Sequence, residues 1–214
     1  MAITLKKFSL LSSAALALML AACGGDDTDS ANESTDKGST DGDTTTEETY
    51  VIGVTQFVEH PSLDAAYEGF QKALEEAGLD VEYKYNTANG DNSANMSVAQ
   101  TLVGDGVDLI FANSTPSAQA AKSATNDIPI VFTSVTDAVG AELIASMEAP
   151  GGNVTGTVDL HPDTIANTAA FFKDELGAKK VGTVYNTGEQ NSTVQVQQIK
   201  AALEAAGIEL VEAA

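Results

Sequence analysis

The sequence predicts an α/β protein of two similar lobes, each built on a parallel sheet. Three observations carry that expectation. From Tyr50 onward, short apolar runs alternate with helical patterns, the signature of βαβ units. The chain also echoes itself at a distance of 129 residues: Ala73-Leu74-Glu75-Glu76-Ala77-Gly78-Leu79 returns as Ala202-Leu203-Glu204-Ala205-Ala206-Gly207-Ile208, and Gly53 returns as Gly182. Finally, polar residues gather where the strands are expected to end.

Residues 1–23 read as an export signal. Lys6 and Lys7 precede an apolar run from Leu10 to Leu20, too short to span a membrane. Leu20-Ala21-Ala22-Cys23 then resembles the lipobox of bacterial lipoproteins, with small residues before the only cysteine of the chain. The resemblance implies cleavage before Cys23 and a diacylglycerol on its sulfur, and two acyl chains suffice for stable anchoring. A lone cysteine excludes disulfides within the chain and a thiolate metal cluster.

Residues 24–49 read as a disordered acidic tether. Nine of them are acidic and one, Lys37, is basic; Ser, Thr and Gly make up most of the rest. A random coil of 26 residues reaches about 30 Å.

The body from Tyr50 onward holds 22 acidic side chains, seven lysines and no arginine. That charge disfavours nucleic acid and anionic lipid surfaces as partners. Its simplest account is solubility.

Within the first lobe, 50–158, the apolar run Val51–Phe57 is a strand of a sheet covered on both faces. Leu63, Ala66, Tyr67, Phe70, Leu74 and Ala77 follow at helical spacing, and Gly78 ends the helix. Val81–Asn86 is a second, more polar strand. Asn92 or Ser93 is the expected cap of the next helix, which carries Met96, Ala99, Leu102 and Val103. Val107–Asn113 is the third strand, and Pro116 suits the first turn of the helix after it. Ile128–Thr133 is the fourth strand, a helix is expected through Ala141–Met147, and Val154–Val158 is the fifth strand. Residues 159–214 then hold the crossover, a helix over Thr164–Leu176, a strand over Lys180–Asn186, a helix and one more strand. So few elements cannot bury a full core, so the second lobe is expected to be truncated here.

In open parallel sheets, ligands sit beyond the carboxyl ends of the strands. Those ends offer Gln56, Phe57 and Glu59; Ser114 and Thr115; Thr136 and Asp137; Asp159; and Glu189, Asn191 and Ser192. Ser114, Thr115, Asn191 and Ser192 also stand at helix N-termini, where free N–H groups attract an anion. The carboxylates can hold an ammonium, and Phe57 is either a stacking platform or core. His60 and His161 stand apart, each beside a proline, and suggest no metal site. There is no nucleophile elbow, phosphate-binding loop or dinucleotide fingerprint. No catalytic residue, metal ligand or cofactor is expected.

Several stretches carry a family resemblance. They are Gln56-Phe57-Val58-Glu59-His60-Pro61, Ser114-Thr115-Pro116-Ser117-Ala118-Gln119-Ala120, Ile128 through Asp137, Pro150-Gly151-Gly152-Asn153-Val154-Thr155-Gly156, and Tyr185 through Ser192. Together they resemble the substrate-binding lipoproteins of ABC transporters, tryptophan/tyrosine-type group, with the type I periplasmic-binding-protein fold. Ala138 and Thr187 stand where that group commonly has proline. The resemblance implies two lobes closing on a small amino-acid-like ligand, aromatic or apolar, and delivery to an ABC permease with a cytoplasmic ATPase. It places the protein outside the cytoplasm, anchored to the bacterial cell membrane by its lipid. A ligand-sensing or enzymatic α/β lipoprotein uncoupled from transport is the alternative.

Overall fold

The computed structural model describes residues 49–214. The expected signal peptide, Cys23 and all but the last residue of the tether lie outside the described residues.

The first lobe alternates strand and helix as far as β4, with a loop before β5: β1 (Tyr50–Gln56), α1 (Pro61–Glu76), β2 (Val81–Thr87), α2 (Asn92–Gly104), β3 (Leu109–Asn113), α3 (Thr115–Ala124), β4 (Ile130–Val135) and β5 (Val154–Val158). The strands form one parallel sheet in the order β2-β1-β3-β4-β5. Leu102, Val107, Ile110, Ala118, Ala121, Ile130, Phe132 and Val154 make the main core between the sheet and α2 and α3. On the opposite face, Tyr67, Phe70 and Leu74 of α1 cover Ile52, Val54 and Phe111. The rings of Phe70 and Phe111 stack with centroids 4.1 Å apart.

The second lobe contains α4 (Thr164–Ala170), a π-helical continuation (Phe171–Glu175), β6 (Lys180–Val184), α5 (Gln190–Ala206) and β7 (Glu209–Ala213). β6 and β7 pair in parallel, and Ala169, Leu203 and Ile208 centre a small core beneath them.

The internal repeat is visible in the hydrogen bonds. Gly78 N–H donates to Glu75 O at 2.9 Å and Leu79 N–H to Leu74 O at 3.2 Å. At the same offset, Gly207 N–H donates to Glu204 O at 3.0 Å and Ile208 N–H to Leu203 O at 2.8 Å. The two glycines have φ of +73° and +77°, the left-handed closure that glycine adopts without strain.

Three expectations need correction. Asp91, not Asn92 or Ser93, caps α2: its carboxylate accepts from the backbone N–H of Ser93 at 2.7 Å and of Ala94 at 3.2 Å. A carboxylate also complements the positive helix end. The helix expected through Ala141–Met147 is an irregular loop. Glu142 sits at φ +58°, which breaks a right-handed helix, and Leu143 N–H reaches Ala138 O instead. The apolar spacing there serves burial of Ala138, Ala141, Leu143 and Ile144 in the main core. The fourth strand also runs two residues later than expected, because Pro129 lacks an N–H for the ladder and Ile130 begins the pairing with Val154.

Candidate functional site

Parallel strands bring their carboxyl ends to one side of each sheet. In the first lobe these ends carry Gln56, Asn113 and Thr136; in the second, the turn after β6 leads into the N-terminus of α5. Among the described residues, three side-chain hydrogen bonds join the lobes, and all lie at these ends. Asn92 Nδ2 donates to Gly188 O at 3.1 Å, Gln190 Nε2 to Gly140 O at 3.1 Å, and Gln195 Nε2 to the Thr136 hydroxyl at 3.3 Å. The two sets of strand ends therefore face each other across one cleft.

β4 is shaped for this position. Its register against β5 shifts between Phe132 and Val135, where Ser134 takes φ +54°. Such a bulge re-aims the residues after it, here Thr136 and Asp137. Ser114, at the end of β3, takes φ 118° and accepts from Ser117 N–H at 3.5 Å, capping α3. A non-glycine residue in that region stores strain, as functional sites often do.

The sequence candidates occupy distinct places. Gln56 is fully buried, and its whole carboxamide is engaged within the first lobe: Nε2 donates to Val58 O at 3.0 Å and Asp64 Oδ1 at 2.7 Å, and Oε1 accepts from Asn113 Nδ2 at 2.9 Å. Phe57 is buried, and Glu59 is exposed in the turn before α1. Thr115 is buried and its hydroxyl accepts from Thr136 N–H at 3.4 Å. Asp137, half-buried, accepts from Gly140 N–H at 2.8 Å. Asp159 is exposed, its N–H bonded to Val135 O at 3.0 Å. Glu189 accepts from Asn186 Nδ2 at 2.8 Å. Asn191 and Ser192 lie in the first turn of α5, partly buried. Two buried side-chain oxygens lack a hydrogen-bond partner among the described residues, Asn113 Oδ1 and Asn191 Oδ1, one in each lobe.

A cavity of about 230 Å³ spans the lobes, between Asn92, Asn95, Pro116 and Gln119 on one side and Glu189 and Gln190 on the other. Of the sequence candidates only Glu189 lines it. Asn95 is nearly closed to solvent; its Oδ1 accepts from the hydroxyls of Thr55 at 3.3 Å and Ser117 at 3.2 Å, tying α2 to β1 and α3. Sequence reading missed Asn92, Asn95, Gln190 and Gln195. The available signal was polar side chains at the helix starts that follow strand ends.

Among the described residues no lysine lines the cavity, so a carboxylate bound there would rest on N–H and hydroxyl donors. Near Glu59, burial raises the Tyr85 phenol above its ordinary value, and the Asp64 and Glu59 carboxylates raise it further, keeping the hydroxyl neutral.

The profile of the ABC transporter substrate binding protein family matches residues 51–214. A tyrosine-binding protein of Clostridioides difficile (strain R20291) is 48% identical over 153 residues, covering 69% of this chain and 44% of that protein. The crystal structure of an ABC domain in complex with L-Trp, from Streptococcus pneumonia, superposes with a TM-score of 0.70 at 36% identity, covering 78% of this chain and 57% of that one. The ligand-free, open structure of a substrate-binding protein with adhesive properties from Clostridium difficile gives a TM-score of 0.56 at 44% identity, covering 77% and 57%. The chain thus spans about half the length of these relatives.

Proposed function

The chain belongs to the family of ABC transporter substrate-binding proteins, with the two-lobed type I periplasmic-binding-protein fold, and on that premise we propose that the whole protein captures an aromatic amino acid between its lobes. It then hands that ligand to an ABC permease driven by a cytoplasmic ATPase. It does so without catalysis, outside the cytoplasm, held to the cell membrane by lipid on Cys23.

One observation carries this reading: the strand ends of both lobes meet in a single cleft, bridged at Thr136, Gly140 and Gly188. A ligand there touches both lobes, so closure and binding favour each other. An aromatic amino acid is supported by the relatives, one named for tyrosine and one solved with L-Trp.

A zwitterion brings one positive and one negative end into a site that excludes water, and each then needs a partner. Asp137, held in place by Gly140 N–H, is assigned to the ammonium. The side-chain oxygen of Asn191, buried and without a partner, is a second acceptor for it. Ser114 and Thr115 at the start of α3, with the backbone N–H groups of Asn191 and Ser192 at the start of α5, are assigned to the carboxylate. Equilibrium dialysis of the full-length protein against labelled tyrosine and tryptophan tests the reading. Retention of neither contradicts it.

A further inference from the structure

We infer that Gln195, with Gln190 and Asn92, forms an uncharged latch that holds the two lobes together and thereby sets the lifetime of the closed state. Each of the three cross-lobe side-chain hydrogen bonds is donated by a carboxamide. The acceptors are the Thr136 hydroxyl and the backbone carbonyls of Gly140 and Gly188. Neutral partners carry little of the desolvation cost that a buried ion pair meets, and salt does not screen them.

The placement is specific. Gln190 and Gln195 both project from the N-terminal part of α5 and bond to the two ends of the segment Thr136–Gly140. That segment is closed on itself by the Asp137 carboxylate and Gly140 N–H at 2.8 Å. Thr136 is in turn tied to the start of α3, through its N–H and the Thr115 hydroxyl at 3.4 Å. A continuous path therefore runs from α3 through the bulged end of β4 to α5. Opening the cleft breaks the Gln195–Thr136 bond and leaves the bonds within each lobe intact. The latch thus acts on closure and not on the folding of either lobe. A ligand's apparent affinity scales with the fraction of protein in the competent form, so Gln195 is a positioning residue for binding.

The latch rests on the reading that ligand is held between the lobes, yet the two are tested separately. In the full-length protein with Cys23→Ser, the pair Asn92→Cys and Gly188→Cys reports closure without any ligand, in a protein that gives up the Asn92 bond of the latch and keeps those of Gln190 and Gln195. A Cβ built at Gly188 lies 4.0 Å from Asn92 Nδ2 and 3.2 Å from Asn186 Oδ1, so a side chain at position 188 is within reach of one at position 92 across the lobes. The rate of disulfide trapping in a fixed glutathione buffer is then measured for that pair alone and after Gln195→Leu, Thr136→Val or both. One neutral hydrogen bond predicts trapping slowed about 3- to 10-fold by either change, with the double variant no slower than the singles. Gln198→Ala, on the exposed side of α5, leaves the rate unchanged. With L-tyrosine or L-tryptophan as probe, Gln195→Leu raises the dissociation rate by the same factor and leaves the association rate and the melting temperature in place. Equal trapping with and without Gln195, additive effects of the two changes, or no trapping at all would overturn the latch. Absence of amino-acid binding with the trapping pattern intact would overturn only the function proposed above.

Discussion

The side-chain amide of Asn113 donates to the carboxamide oxygen of Gln56 at 2.9 Å, and both residues are closed to solvent beneath the cleft. Asn113 Nδ2 also reaches Leu63 O at 2.7 Å, while Gln56 Nε2 reaches Asp64 at 2.7 Å. The ends of β1 and β3 are thereby pinned to the first turn of α1. The strand-end corner is a polar knot whose geometry is fixed before any ligand arrives.

Gln56→Leu keeps the volume and removes the knot. It leaves the Asp64 carboxylate without this donor and one N–H of Asn113 Nδ2 without an acceptor, while the other keeps Leu63 O. Stability should fall by about 2–4 kcal/mol, read as a lower urea midpoint with unchanged slope. A loss under about 0.5 kcal/mol would show that water replaces these bonds at little cost.

Gly156→Ala tests the close approach of β5 to β4. A Cβ at that position would lie 2.1 Å from Phe132 O and 2.6 Å from its ring, and a backbone atom cannot swing aside. The strands must part, at a cost of about 2–3 kcal/mol. Because the β4 bulge lies next to this contact, Thr136 and Asp137 should move with it. NMR shifts confined to position 156, with native stability, would contradict the expected strand displacement.

Acid should loosen the second lobe. Lys200 donates to Glu212 at 2.8 Å, and the Tyr185 hydroxyl reaches the same carboxylate at 3.2 Å, joining α5, β6 and β7. The Lys200 hydrogen bond holds the Glu212 carboxyl below its ordinary value of 4.5. A depressed carboxyl contributes stability above its unfolded value and loses it as pH falls through the folded one. The contribution is thus intact at neutral pH and fades below about pH 4.5. Lys200→Ala should flatten this acid limb in melting temperatures taken between about pH 6 and pH 3. An unchanged limb would mean that the pair contributes nothing.

Cys23→Ser should abolish incorporation of labelled fatty acid and release the protein from membranes. Equal labelling in that variant would rule out Cys23 as the lipid acceptor.

Much of the fold was legible because it rests on local chemistry. Gly78 and Gly207 mark helix ends that any reader of glycine can place, and the apolar runs of β1, β3 and β4 fit only a covered sheet. The loop after Asp137 was not legible. Ala141, Leu143 and Ile144 imitate a helical stripe, and only the tertiary path that buries them and turns Glu142 left-handed tells otherwise. The cap of α2 was misplaced by one residue because Asp91, Asn92 and Ser93 are all capping types. At the candidate site, polar strand ends were visible, whereas their partners were not. Gln195 looks like any surface glutamine until α5 meets Thr136, 59 residues away in sequence. Gln56 is visible as a polar strand end, whereas its engagement by Asn113, 57 residues away, is set only by the pairing of β1 with β3.

Capture of an aromatic amino acid between the lobes is tested most directly by calorimetric titration. The full-length protein would be titrated with L-tyrosine, L-tryptophan, L-phenylalanine and L-leucine, before and after Asp137→Asn. An aromatic amino acid should bind most tightly. Loss of the carboxylate from a desolvated pair should then weaken it by about 2–5 kcal/mol, roughly 30- to several-thousand-fold. Equal affinity with and without Asp137 would contradict its assignment to the ammonium. No binding of any amino acid, or tightest binding of a compound without an amino group, would contradict the function itself.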